Sequence, residues 1–365
     1  MADNKNQHFV PRAHFRPFTV DDKGKAIHLF NIDRMKTVLN APVKNQCSAD
    51  YFYGRDRRLE DAIQFVEGHY AGSVRALEMP NPTLTDKEEV ILRRFIYLQH
   101  LRTEAAARTI ADFSRAMTSV RGSDIEVPSA GDAIKMSVLA AMRSFAETMS
   151  VVDDLKLRVV RNRTGVRFIT SDDPVVMTNR WHQKSPLTGS LSFGIQSAGL
   201  LVFMPLTPTL LVLLFDGDVY SVNHKSGFVD ITTDGDAVAC NRLQALCCSH
   251  NVYFQDATSE LSIKSLVDEV AALRLPDKFS LTYAVKDEVY DTHLSYKVVE
   301  DPDVREHEQV LVHVKSVRPV PPVWPSFLKY RRDGKVYSNG TRAGFRRKAT
   351  SFFEHGAPQW RKIRL

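Results

Sequence analysis

The sequence predicts an α+β protein, a central helical bundle packed against a mainly antiparallel sheet, with a basic C-terminal extension. Three observations carry that prediction. Apolar residues recur at helical spacing through residues 56–149, the repeat shortens toward two after about residue 154, and helices precede strands rather than alternating with them. The basic extension is read from charge: from Lys315 to Leu365 there are thirteen Lys and Arg against two acidic residues, leaving 36 basic and 41 acidic side chains, net −5, for residues 1–314. A mildly acidic body carries a strongly basic tail. At 365 residues the chain exceeds the usual size of one domain. The expected division is a core over 1–275 and an extension over 276–365.

Residues 6–20 are expected to be extended or looped, because Pro11 and Pro17 push the residues before them away from helical dihedrals. The stretch 25–33, KAIHLFNID, alternates as a strand, and 34–39 fits either helix or strand. In 56–79, Leu59, Ile63, Val66 and Tyr70 mark one helix face, and Pro80 ends it. Thr85 and Glu88 have the spacing of a capping box, opening one long helix to about 119 with Ile91, Phe95, Leu98, Ile110 and Phe113 on its face. A further helix is expected over 130–149.

Beyond that, LKLRVV and RFITSD alternate around Asn162-Arg163-Thr164-Gly165 and predict a hairpin. The run 199–215, GLLVFMPLTPTLLVLLF, is short for a bilayer span and is broken by Pro205 and Pro208. It predicts two buried strands joined by a PLTP turn, and no membrane span. A strand near 219–222 and helices over 234–249 and 258–275 follow. Past Pro276, SLTYAVKDEVYDTHLSYKVV and EQVLVHVKSV read as strands, and the last thirty-odd residues as an irregular arm.

Composition narrows function. With 43% hydrophobic and 25% charged residues the chain is an ordinary folded protein. The N-terminus lacks a cationic stretch leading into an apolar segment, so no secretory signal is read and a cytoplasmic location is expected. Cys47, Cys240, Cys247 and Cys248 include no C-x-x-C pair, and buried thiols are the expectation. No phosphate-cradling glycine loop, nucleophile elbow or H-E-x-x-H motif is present.

Several stretches together resemble a bacterial family known as domain-of-unknown-function family 4238: NQHFVPRAHFRPFT at the start, LQHLRTEAAAR in the helical region, FITSDDPVV with FMPLTPTLLVLLF in the centre, and ACNRLQALCCSHNVYF near residue 250. The resemblance covers roughly residues 6–256. It implies the order and register of these motifs and not an activity. The family often has Asn where this chain has Asp173, and the region beyond about 275 has no counterpart in it.

Two sets of residues can carry chemistry. In an extended segment His8 and Arg12 project on one side while Phe9 and Phe15 anchor the chain, offering an imidazole as general base or metal ligand. Asp172 ends a strand where Pro174 stops the ladder, with Ser171 beside it. Glu60 and Glu67, seven apart, share a helix face. With Asp172 and His8 they would hold Mg²⁺ or Mn²⁺. Arg102 and Arg12 would bind an anionic substrate. Each has a structural alternative: internal pairing for His8, Arg12 and Arg102, turn formation for Asp172 and Ser171, a solvated acidic face for the glutamates. The second set is the tail, where Arg331, Arg332, Arg342, Arg346, Arg347 and Lys348 interleave with aromatic residues, a composition that suits RNA or single-stranded DNA. An anionic membrane surface or an acidic partner would fit it too. Three functions follow: nucleic-acid binding through the basic arm, metal-dependent phosphodiester hydrolysis at the end of the central sheet, or a non-catalytic interaction module.

Overall fold

Pro11 sets the entry of the chain into the fold. Strand β1 (Asn6–His8) leads to it, and its backbone at φ −66° and ψ 145° opens the short helix α1 (Arg12–Phe15). The computed structural model describes residues 5–121, 128–189, 191–300, 306–341, 343–350 and 359–365. Residues 12–18 are thus helical and not extended: Pro17 sits in the first turn of a 3₁₀ helix over Arg16–Phe18, where its missing N–H would be unpaired anyway. Arg12 accordingly leaves the strand that carries His8. Phe9, Phe15 and Phe18 are buried, Phe15 edge-on to Tyr253 with ring centroids 4.8 Å apart. Each such ring contributes about 1.5–3 kcal/mol by leaving water.

Strands β2 (Ala26–Asn31) and β3 (Lys36–Pro42) form an antiparallel pair, and β4 (Ser48–Asp50) closes against β1. Helix α2 (Arg57–Glu78) starts at Asp56, whose side chain accepts from the Arg58 N–H. Helix α3 (Asp86–Leu101) starts with the expected reciprocal box between Thr85 and Glu88. The single long helix is broken: α4 (Glu104–Arg121) begins anew after Arg102, which lies at φ −99° and ψ 2°. Thr103 supplies the new cap, its hydroxyl accepting from the Ala106 N–H at 3.2 Å. Helix α5 (Ala130–Thr148) follows, capped by Ser129.

The next strands are β5 (Lys156–Asn162), β6 (Thr170–Ser171) and β7 (Val176–Thr178), then helix α6 (Arg180–Lys184), β8 (Leu201–Thr207), β9 (Leu210–Phe215), β10 (Tyr220–Ser221) and β11 (Phe228–Ile231). Five of them form the central sheet in the order β11-β5-β9-β8-β7, antiparallel except for β11 with β5. β8 and β9 make the expected hairpin and are buried along their whole length, as continuous apolar runs should be. The hairpin expected between 155–160 and 167–172 does not form. β5 pairs with β9 and β11, while β6 joins a second sheet, β3-β2-β12-β6, through β12 (Asn251–Phe254). Alternation fixes which face of a strand is apolar but not which strand lies beside it.

Both sheets are covered twice. Tyr70, Val74 and Leu77 of α2 and Leu92, Phe95 and Ile96 of α3 pack on one face of the central sheet against Leu157, Val202 and Val212. Helix α7 (Asp234–Cys247) packs on the other, with Cys240 and Leu243 against Phe203 and Leu213. The second sheet lies between the N-terminal segment with α4 and α5 on one side and α7 with α8 (Glu260–Val270) on the other. The α+β class read from the sequence is what is observed. Among the described residues no helix is long and apolar enough to cross a membrane.

Beyond residue 275, β13 (Phe279–Val289), β14 (Leu294–Val299) and β15 (Val310–Ser316) form a sheet ordered β14-β13-β15. The tail is folded where it is described. β16 (Lys329–Tyr330) pairs with β10, and β17 (Lys335–Ser338), β18 (Phe345–Arg346) and β19 (Arg361–Arg364) form a sheet ordered β18-β17-β19. Leu328 and Val336 are buried in the same core as Trp181 and Tyr220.

Candidate functional site

The N-terminal residues meet α2 and α3 in a polar network. Gln7 is buried and reaches α2, donating to Glu60 at 3.1 Å and to the Gly54 carbonyl at 3.1 Å, while the Tyr53 N–H donates to it at 2.7 Å. Gln99 donates to the Phe9 carbonyl at 2.9 Å. Arg102, fully buried, donates to Gln99 at 2.7 Å and to Glu67 at 2.7 Å. Glu60 is thus taken up by the N-terminal Gln7, and Glu67 is the counter-ion of Arg102. His8 is half-buried, with burial and the Arg12 charge lowering its pKa and its Nε2 without a hydrogen-bond partner among the described residues. Arg12 is exposed.

His14, a minor candidate by sequence, is fully buried between two hydroxyls, Tyr70 at 2.9 Å and Thr170 at 2.8 Å. Burial, with the nearby Arg102 charge, pushes its pKa down to about 3. The ring is therefore neutral, donating to one hydroxyl and accepting from the other. It ties the first segment to α2 and to the strand that ends in Asp172.

Asp172 itself is committed to the backbone. The N–H groups of Ser249, His250 and Asn251 donate to its two oxygens at 2.8, 2.7 and 2.9 Å. Burial pushes its pKa up and these three donors pull it down. Ser171 donates to Gln244 at 2.9 Å, and Gln244 donates to the Pro174 carbonyl at 2.9 Å. The pair Ser171 and Asp172 clamps the SDDP turn to α7 and to the start of β12. Asp173 points elsewhere: it accepts from the Thr103 hydroxyl at 3.3 Å and lines a cavity beside α3, α4 and α7. Among the described residues, no group of three or more His, Cys, Asp and Glu is placed to hold a metal ion.

The basic tail resolves into two kinds of cation. Arg347 is buried inward, donating to both oxygens of Asp154 at 2.8 and 3.1 Å and to the carbonyls of Ile195 and Val151 at 2.6 Å each. Arg331 is exposed and donates to the Gly217 carbonyl at 2.6 Å. Arg332 and Lys348 are exposed, and Arg342 lies outside the described residues. The sheet register sorts the rest. Tyr337 stands opposite Arg346 on one side and Lys362 on the other, and Lys335 opposite Arg364. Directly paired residues share a face, so these five side chains lie together, while Val336, Phe345 and Ile363 turn to the core. The Arg346 guanidinium lies over the Trp360 ring, 5.1 Å from its centroid. Lys335 reaches Asp218 at 3.6 Å.

A family model described as "Protein of unknown function (DUF4238)" matches residues 6–258. The chain belongs to the DUF4238 family. No curated protein and no solved structure matches it. The DUF4238 region contains the N-terminal network, the Asp172 clamp and both large sheets; the basic sheet of β17–β19 lies outside it. Within the DUF4238 region a groove of about 560 Å³ forms where Arg16, Arg167, Pro208 and Gln255 meet Arg75 and Glu78 of α2. Each of the first four residues is in, or next to, one of the stretches that carry the family resemblance, and three arginines give the groove an anion-attracting character.

Three sequence signals were missed. Thr103 before Glu104 is a helix-cap pattern hidden by an unbroken apolar stripe. His14, flanked by Phe15 and two prolines, sits in an apolar stretch that implies burial. Asp173 and Asp172 are neighbours in an extended stretch, so their side chains point opposite ways, which separates a structural carboxylate from one facing a cavity.

Proposed function

We propose that the chain binds single-stranded nucleic acid, RNA or single-stranded DNA, on the outer face of the β17–β19 sheet. In this reading residues 276–365 are an addition to the DUF4238 core and carry the binding face. The observation that supports it is the register: Lys335, Tyr337, Arg346, Lys362 and Arg364 on one face, with Trp360 under Arg346. Cations in such an array neutralise phosphates and release counterions, and the flat rings offer stacking to unpaired bases. Arg331, Arg332 and Lys348 add charge nearby. Arg347 holds the sheet in place through Asp154.

Hydrolysis with Mg²⁺ or Mn²⁺ at the end of the central sheet has no comparable support, since Asp172 is bonded to three backbone N–H groups and Glu67 is bound to Arg102. The test is fluorescence anisotropy with labelled twelve-nucleotide RNA and DNA strands over a salt series. Lys362→Glu with Arg364→Glu should weaken binding at least about ten-fold and lower the salt slope by about 1.4, at about 0.7 for each phosphate left without its cation. Arg75→Glu, in the groove on α2, should leave both unchanged. Binding that survives the double variant, or that is abolished by Arg75→Glu alone, moves the interface off this sheet.

A further inference from the structure

The cavity beside Asp173 measures about 250 Å³. Its walls are apolar for the most part, with Leu101 and Ile110 from the helices, Leu243 from α7 and Val317 from the segment after β15. Against this lining stand a few polar groups: Asp173, Thr178, His100, Arg318 and Lys278. Such a mixture, mostly apolar with a small convergent polar set, is the composition of a small-ligand site, and the volume lies below the range of about 300–1,000 Å³ usual for drug-sized ligands.

Three of these polar groups present buried atoms without a hydrogen-bond partner among the described residues: Thr178 Oγ1, His100 Nδ1 and Arg318 Nε. Thr178 is 3% exposed. Buried polar atoms in native proteins are nearly all paired, so three unpaired ones around one cavity point to a polar group that belongs there. The charges say which sign it has. Arg318 lies over the Phe193 ring, 5.2 Å from its centroid, and donates from one terminal nitrogen to the Met177 carbonyl at 3.3 Å. A guanidinium so placed offers its remaining N–H edge to a planar two-oxygen acceptor, with Lys278 as a second cation.

We propose that this cavity binds a small carboxylate with an apolar body, its carboxylate held by Arg318 and Lys278 and hydrogen-bonded by Asp173, its hydrocarbon part lying against Leu101, Ile110 and Leu243. Asp173 is suited to that role. Burial and the adjacent Asp172 charge push its pKa up to about 7, while Lys278, Thr103 and Arg318 pull it back. A neutral acid donates one O–H to an incoming carboxylate where a second carboxylate would repel it. The site is built jointly: Asp173, Thr178 and His100 come from the family-matched region, and Lys278 and Arg318 from the chain beyond it.

The experiment is calorimetric titration of the full chain with hexanoate, and with hexan-1-ol as the uncharged control, at pH 6 and pH 8. Hexanoate should bind saturably and about ten-fold more tightly at pH 6 than at pH 8, the change in the acid fraction of a group titrating near 7. Hexan-1-ol should bind at least ten-fold more weakly. Asp173→Asn should abolish the pH dependence while His100, Cys247, Asp172, Lys278 and Arg318 stay in place, which isolates Asp173 from every other charged or titrating group around it. Arg318→Gln should abolish binding; Lys278→Glu, at an exposed position where folding is not at stake, should weaken it at least five-fold. No saturable binding at either pH, equal affinity for the alcohol, wild-type affinity in Lys278→Glu, or a pH dependence that persists in Asp173→Asn would each overturn the proposal.

Discussion

His14 makes the fold sensitive to mild acid. Its folded pKa of about 3 lies well below the ordinary value near 6.5, so between the two the unfolded chain takes up a proton that the folded chain refuses. Stability therefore rises with pH across that window, is fully present above about 6.5, and is lost as pH falls. The loss for this one ring is about 2 kcal/mol between pH 7 and pH 5. His100, held near 4 by burial, acts in the same direction. Urea unfolding of wild type and His14→Gln at the two pH values checks this: the variant should lose about 2 kcal/mol less than wild type, and an equal loss in both would mean that His14 is protonated in the folded state. Asp172 gives a second prediction at this scale. Asp172→Ala leaves the N–H groups of Ser249, His250 and Asn251 facing a void, at a cost of about 3 kcal/mol or more in denaturant unfolding. A loss below about 1 kcal/mol would show those N–H groups finding other acceptors.

Among the elements, the break between α3 and α4 is the joint on which both polar regions depend. It turns Arg102 inward to Glu67 and Gln99, and it sets the Thr103 hydroxyl on Asp173. An unbroken helix would carry these residues past both partners. The apolar stripe from Ile91 to Phe113 is continuous in the sequence, and periodicity alone cannot place a break that seats a buried ion pair with a residue 35 positions away. Glu67→Gln should therefore destabilise the protein by about 3–5 kcal/mol in denaturant unfolding, because it leaves a fully buried guanidinium without its counter-charge. An effect near zero would mean that Gln99 suffices to hold it. The strand elements divide in the same way. β8 and β9 could be read directly, being adjacent, apolar and joined by a proline turn. β5 and β6 could not, since they pair with β11 and β12, far along the sequence, and alternation is silent about such partners.

At the scale of the whole molecule the tail is part of the core. Leu328 and Val336 bury their side chains beside Tyr220 and Trp181, Tyr330 stacks on Tyr220 with centroids 5.6 Å apart, and Arg347 closes on Asp154. Deleting residues 329–365 should expose that apolar surface and lower the melting temperature by several degrees, with a single cooperative transition retained in the full chain. Calorimetry of the truncated protein checks it, and an unchanged melting temperature would show that the tail contributes no stability. Deletion is for the same reason a poor test of nucleic-acid binding, and surface charge reversal on β19 is the better one.

The amino-acid sequence by itself determined the α+β class, the family, most helix positions, the β8–β9 hairpin and the concentration of positive charge at the C-terminus. These depend on composition and on periodicities shorter than about twenty residues, which local backbone geometry reads directly. Only the tertiary structure decided that Asp172 serves the backbone while Asp173 faces a cavity, that Arg347 is buried while Lys362 and Arg364 share an open face, and that Lys278 and Arg318 complete a pocket begun by residues more than a hundred positions earlier. A side chain's role is set by what surrounds it, and those surroundings are assembled by pairings between distant segments that no local pattern encodes.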